Sequence, residues 1–206
     1  MTMLVNRPAT AMNTSSDPRI LGSVAMSGVA VAIWQRQPSC EFQEWLDGLD
    51  AVRLPRLRCR ATPPQVPDAI MRACVEAGTP PGLQRDLLIA DIAELARHAA
   101  NITESLMIDL RLDVSDGQPC PKWHLDAVPA RLLCTLRGAG TQFGPARPDG
   151  EPVNIQQMHP GDVGMFRGRL WPGNEISGIL HRSPPARGGP TRLLLVIDPV
   201  SEAGSC

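Results

Sequence analysis

The chain has 206 residues, 43% of them apolar, and a formal net charge of −1, the profile of one ordinary globular domain with a well-filled core. Nearly balanced charge without a basic block argues against a nucleic-acid or membrane-surface partner, while local arginines can still hold a small anionic substrate. Six cysteines (Cys40, Cys59, Cys74, Cys120, Cys134 and Cys206) are scattered without a CxxC pair, and the start MTMLVNRPATAMNTSSDPR lacks the basic-then-apolar plan of a signal peptide. Reduced thiols in a cytoplasm are therefore expected.

Residues 1–18 are polar and read as a loose tail, as do 201–206, leaving a single domain over 19–200. The apolar run from Ile20 to Trp34 is too short, and too interrupted by Gly and Ser, to cross a bilayer. VAVAIWQR at 29–36 reads as a strand. SCEFQEWLDGLD at 39–50 follows as a helix, with Ser39 as cap and Phe42, Trp45, Leu46 and Leu49 at helical spacing. The arginines and prolines of 51–67 predict an irregular connection. Two helices should come next, over about 67–77 and 81–100, the second with Leu83, Leu87, Leu88, Ile92, Leu95 and Ala99 on one core-facing stripe.

From Ser105 the texture changes. SLMIDLRLDV, ARLLCTLRG, DVGMFRG, SGILHRS and TRLLLVID are short β-rich runs set apart by Gly, Pro and Asp turns. A helical part over about 39–100 and a β part over about 105–198 make an α+β plan with helices segregated to one side.

The residues that carry chemistry lie in the β half. His124 and Asp126 in WHLDA are two apart, which on a strand puts both on one face. His181 in ILHRS follows on a later strand, and Arg192 opens the last one. Two imidazoles and a carboxylate are the set that binds Fe(II) and leaves positions open. A guanidinium beside them can pair with a carboxylate in a two-pronged way that lysine cannot copy. The plainer readings are a surface polar pair for His124 and Asp126, a strand-end histidine for His181 and a surface ion pair for Arg192.

Arg131, Leu133 and Thr135 share one face of their strand, so an inward face would make Arg131 a second anion binder and Thr135 a hydroxyl partner. Cys120 is a candidate extra ligand that would favour Zn²⁺; a packed thiol is the plainer alternative. Trp171, Asn174 and Glu175, in the loop before His181, are candidates for substrate recognition or else a turn around a core tryptophan. His98 and His159 read as structural or exposed, and Asp162 as a turn residue.

His124, Asp126, His181 and Arg192, in that order and strand context, resemble the Fe(II)- and 2-oxoglutarate-dependent oxygenases. The resemblance implies a double-stranded β-helix, cupin-like, with the N-terminal helices packed outside. It further implies three metal ligands, Fe(II) and 2-oxoglutarate as cofactors, Arg192 as the co-substrate anchor and a small-molecule substrate. The chain departs from that pattern in having no tyrosine, and Leu194 stands where a hydroxyl residue would follow Arg192; Thr191, Ser183 and Thr135 are the hydroxyls that remain. CPKWHLDAVPARLLCTLRGAGTQF, FRGRLWPGNE and LHRSPP also resemble an uncharacterised bacterial family known as a domain of unknown function, which implies a cytoplasmic protein associated with zinc homeostasis. Two alternatives stay open: a zinc-binding protein of the same fold without oxygenase activity, and a metal-free domain that binds an anion through Arg131 and Arg192.

Overall fold

Strands form where leucine and β-branched residues lie between turn residues, and helices where a cap precedes an apolar stripe. In chain order the elements are β1 (Ala11–Ser15), a 3-10 segment (Pro18–Ala25), β2 (Val29–Trp34), α1 (Cys40–Asp47), β3 (Leu57–Ala61), α2 (Val66–Ala77), α3 (Leu83–Thr103), β4 (Ile108–Ser115), β5 (Ala130–Arg137), β6 (Gln142–Pro145), β7 (Gln156–Gln157), β8 (Val163–Arg167), β9 (Ile179–Arg182) and β10 (Arg192–Pro199). This computed structural model describes residues 8–147, 150–185 and 189–200. Ser39 caps α1 by accepting from the Phe42 amide, and Gly78, at φ 69°, ends α2 in the left-handed conformation that glycine adopts without strain.

Seven strands form the larger sheet, in the order β1-β2-β8-β5-β10-β4-β3, and three form the smaller, β7-β6-β9. Together they make a double-stranded β-helix, with the helices against the outer face of the larger sheet. Alternation along β10 shows the two environments. Leu193, Leu195 and Ile197 join the core shared with Leu88, Ile92 and Leu95 of α3, while Leu194 and Val196 face the inside of the β-helix with Phe143, Phe166 and Ile179. The smaller sheet roofs β2, β8 and β5, where Phe143 packs edge-on against Phe166. The inner face of β10, β4 and β3 lines open clefts instead.

Three expectations change. The segment 8–18, expected within the loose tail, contains β1, which pairs in parallel with β2; an edge strand is held by backbone hydrogen bonds that polar side chains do not prevent. Residues 1–7 and 201–206 lie outside the described residues. The connection 51–67 contains β3, paired antiparallel with β4. Its alternation is hidden by arginines, since Leu57 and Cys59 pack on the helix-side core and Arg58 and Arg60 project the other way. On α3, Leu83 and Leu87 are exposed, and the buried stripe is Leu88, Ile89, Ile92, Leu95, Ala96, Ala99 and Ala100. No helix among the described residues is long and apolar enough to cross a membrane.

The burial on α3 has a measurable consequence. Ile92→Ala is expected to lower unfolding free energy by about 2–5 kcal/mol, and Leu83→Ala, on the exposed side, to change it by less than about 0.5 kcal/mol; equilibrium denaturation of both variants checks the assignment.

Candidate metal centre

The segment joining β4 to β5 carries the His-x-Asp motif and is fastened to β9. Gln118 donates to the Ser183 carbonyl at 2.8 Å, the Ser183 amide donates to the Cys120 carbonyl at 3.0 Å, and the Arg182 guanidinium lies 4.2 Å from the Trp123 ring centroid. His124 then exchanges backbone hydrogen bonds with His181, each 3.1 Å. That bridge brings the two imidazoles to a centroid separation of 4.6 Å. His124 and Asp126 are therefore not on one strand, as their spacing suggested. A single bridge at His124 and an irregular turn to Asp126 achieve the convergence.

One ligand atom from each of His124, Asp126 and His181 lies within 4.8 Å of the others. His181 Nε2 is 3.0 Å from Asp126 Oδ2, and His124 Nε2 is 3.7 Å from Asp126 Oδ1. His124 Nδ1 lies 2.8 Å from the Lys122 carbonyl, so that nitrogen carries the hydrogen and Nε2 keeps its lone pair toward Asp126. This backbone tether is the usual support of a metal-bound imidazole. Asp126 Oδ2 and His181 Nδ1 are buried without a hydrogen bond. Buried polar atoms are rarely left so, and a carboxylate with one oxygen toward each of two imidazoles is chemically suited to a divalent cation.

Electrostatics keep the set ready for a metal. Burial pushes the Asp126 carboxyl up, but His181 in contact and the charges of Arg131 and His124 outweigh it and hold the carboxyl below its ordinary value. Burial pulls His181 below the usual histidine range, against the opposing pull of Asp126. Asp126 is thus charged and His181 neutral near pH 7, the forms that bind metals.

Arg131 is differently employed from the expected anion binder. Its Nε and Nη2 donate to the two oxygens of Asp198, each at 2.6 Å, and its Nη1 donates to Asp126 Oδ1. Its face does point inward, but carboxylates of the chain already occupy the guanidinium. It orients Asp126 by holding one oxygen.

A cavity of about 610 Å³ opens beside the cluster, and His124, His181, Thr141 and Arg192 are among its walls. Arg192 is 5% exposed. Its Nη2 donates to Thr135 Oγ1 at 3.0 Å and Thr141 Oγ1 at 2.9 Å, and its Nε to the Ala139 carbonyl at 2.9 Å. All these partners are neutral, and burial pushes the guanidinium down to about 10. Glycines build the cradle. A Cβ on Gly140 would lie 2.0 Å from the Met158 carbonyl oxygen, and Gly138 adopts φ +82° against the backbone of Arg192.

Other candidates separate from the site. Cys120 lies at the cavity wall but outside the ligand cluster, because the turn before His124 presents its carbonyl, not its thiol, to β9. Thr191 donates to Asp116 at the surface. Trp171, Asn174 and Glu175 do not line the cavity. Trp171 packs on the helix-side core under Arg167, 4.7 Å from its ring centroid, and Asn174 is exposed. Glu175 accepts from Ser27 Oγ at 2.6 Å, the Gly28 amide at 2.9 Å and Arg167 Nη1 at 2.7 Å, folding the loop onto the start of β2. His98 pairs with Glu94 and His159 with Asp162. Two site residues escaped the sequence reading. Thr141 gave no signal beyond a hydroxyl in a glycine turn, but Asp198 did: it is the acidic end of the inward series 192, 194, 196, 198 on an otherwise apolar strand.

Residues 15–198 match the model of a family described as a protein of unknown function (DUF1826). The chain belongs to this family. Comparison with curated proteins gives no match. Among solved structures, dioxygenase for auxin oxidation 1 from Arabidopsis thaliana, in binary complex with 2-oxoglutarate, aligns at 10% identity and TM-score 0.51 over 93% of this chain and 92% of that one. The dioxygenase for auxin oxidation of rice aligns at 13% identity and TM-score 0.53, over 94% and 84%. At such identities the likeness is one of fold.

The corrected role of Glu175 is open to measurement. Its carboxyl is held down to about 2 by hydrogen bonds from Ser27, Gly28 and Arg167, so its contribution is complete above the ordinary value of 4.5 and disappears as pH falls toward about 2. Glu175→Gln is expected to lower the melting temperature at pH 7 without changing ligand binding in the cavity, and the gap from the parent should narrow across that acid window.

Proposed function

We propose that this chain is a metal-dependent oxygenase that acts on a small molecule with Fe(II) and 2-oxoglutarate. One observation carries the reading: a two-histidine, one-carboxylate cluster shares a cavity with a buried arginine that has no acidic partner among the described residues. A guanidinium shielded from water and left with neutral partners favours an anion. His124, Asp126 and His181 are the metal ligands, and Arg192 takes the distal carboxylate of 2-oxoglutarate. The fold shared with dioxygenases, one of them solved with 2-oxoglutarate, supports this. The five unpaired cysteines among the described residues support a cytoplasmic setting.

Bound Fe(II) would supply open coordination positions for the 2-oxo acid and for oxygen. The protein's part is orientation. Lys122 fixes the tautomer of His124, and Arg131 occupies Asp126 Oδ1 so that Oδ2 is the oxygen left for the metal. Thr135 and Thr141 accept from Nη2 of Arg192 and the Ala139 carbonyl accepts from Nε, which fixes the guanidinium and leaves Nη1 to meet the carboxylate.

Titrating 2-oxoglutarate into anaerobic Fe(II) protein is expected to produce a weak visible charge-transfer band. Iron should be lost in His124→Ala and His181→Ala and retained in His159→Ala and Cys120→Ala. Arg192→Gln should weaken 2-oxoglutarate binding about tenfold or more, the worth of a charge-assisted contact. Absence of the band at saturating 2-oxoglutarate, or zinc held in place of iron with no such band, would sink the reading.

The tether on Asp126 gives a separate expectation. Arg131→Gln should reduce metal affinity about 10–100-fold, as loss of a ligand's supporting contact does, measured by competition with a chromophoric chelator.

A further inference from the structure

The inner face of β3 and β4 carries an uncompensated pair of cations. Arg58 and Arg111 are directly opposite each other in the antiparallel register, as are Arg60 and Asp109 two pairs further along on the same face. The second pair is complementary, with Arg60 Nε donating to Asp109 Oδ1 at 3.0 Å. The first is not. Like charges directly opposite on a sheet repel, and Arg58 makes no hydrogen bond or ion pair among the described residues. Arg111 has one carboxylate neighbour, Asp198 at 3.4 Å, which Arg131 already holds in two-pronged fashion at 2.6 Å.

These two arginines stand at the open edge of the same cavity that reaches His124, His181 and Arg192. Across the sheet from them, Leu194 and Val196 of β10 and Leu133 of β5 give that cavity an apolar floor. Among the described residues six arginines line it (Arg56, Arg58, Arg111, Arg131, Arg182 and Arg192) against one carboxylate, Asp113. Arg56, Arg131, Arg182 and Arg192 have hydrogen-bond partners within the chain. Arg58 has no partner among the described residues and Arg111 only the long contact to Asp198 at 3.4 Å, so these two guanidinium groups, at the mouth, are the least engaged.

We propose that the substrate is an organic anion, its carboxylate or phosphate received between Arg58 and Arg111 and its apolar body laid over Leu133, Leu194 and Val196 toward the His124–Asp126–His181 cluster. This rests on the cavity being the active site argued above, and it adds the substrate class. A bound oxyanion turns the repulsive pair into a two-sided clamp, and guanidinium groups match either oxyanion geometrically.

The test uses phenyl phosphate, benzoate and the neutral benzyl alcohol, titrated calorimetrically into the full chain as purified. Phenyl phosphate or benzoate should bind and benzyl alcohol should not, and the better anion names the oxyanion. Arg58→Gln and Arg111→Gln should each weaken binding by about fivefold or more, a modest factor because the mouth is wet, while Arg97→Gln, exposed on α3 and outside the cavity, leaves it unchanged. Arg58→Gln should not melt earlier than the parent in phosphate-free buffer, since it removes one of two facing cations and breaks no hydrogen bond or ion pair among the described residues. Equal binding of benzyl alcohol, binding insensitive to both mouth variants, or a lowered melting temperature in Arg58→Gln overturns the inference. Titration with 2-oxoglutarate reads the other site. Phenyl phosphate held through Arg58 and Arg111 in a protein that ignores 2-oxoglutarate would remove the oxygenase reading and keep the anion site, and the reverse result would do the opposite.

Discussion

A single guanidinium on the inner face of β5 joins parts of the chain that are distant in sequence. Arg131 grips Asp198, near the end of β10, with two nitrogens and reaches Asp126 in the preceding turn with the third. Burial works against a charge here, yet the two carboxylates more than offset it and raise the affinity of Arg131 for its proton. Removing one member of such a buried network typically costs about 3–5 kcal/mol, because the survivors are left charged and unpaired. The turn holding Asp126 lacks regular structure of its own, so its geometry is inherited from this contact, from the bridge between His124 and His181, and from the Arg169 amide that donates to the Asp126 carbonyl.

The unequal sheets explain why chemistry sits where it does. Three strands cannot roof seven, so the inner face divides into a dry part under Phe143 and Ile179 and an open part over β10, β4 and β3. Ionisable residues occur on the open part because water or a ligand can solvate them there. His124 and His181 lie on the boundary between the two, with the His181 ring 5.2 Å from that of Phe166. One side of the cluster is therefore apolar and the other faces the cavity.

Much of this was legible in the residues alone. Strands β4, β5, β8, β9 and β10, the capped α1 and the convergence of His124, Asp126 and His181 follow from periodicity, turns and ligand chemistry, whereas the short β6 and β7 carried no such signal. What could not be read were side-chain partners set by register. Arg131 looked like a free cation because Asp198 lies sixty-seven residues away in sequence, and Glu175 looked like a recognition residue because Arg167 and Ser27 are brought to it by the fold. β3 was missed because arginines obscured its alternation, and β1 because its polar side chains resemble those of a tail. Leu83 and Leu87 fit a helical stripe yet fall at its exposed margin, where the sheet no longer covers the helix.

The division of the cavity between strands also bears on how the family can diversify. Arg58 belongs to an edge strand, and its side chain packs on neither core. Exchanges at this position leave both hydrophobic cores and the His124–His181 bridge untouched. Under the proposed function, selectivity can therefore drift independently of reactivity, and paralogues of this fold are expected to differ first along β3 while retaining the interior of β5 and β10.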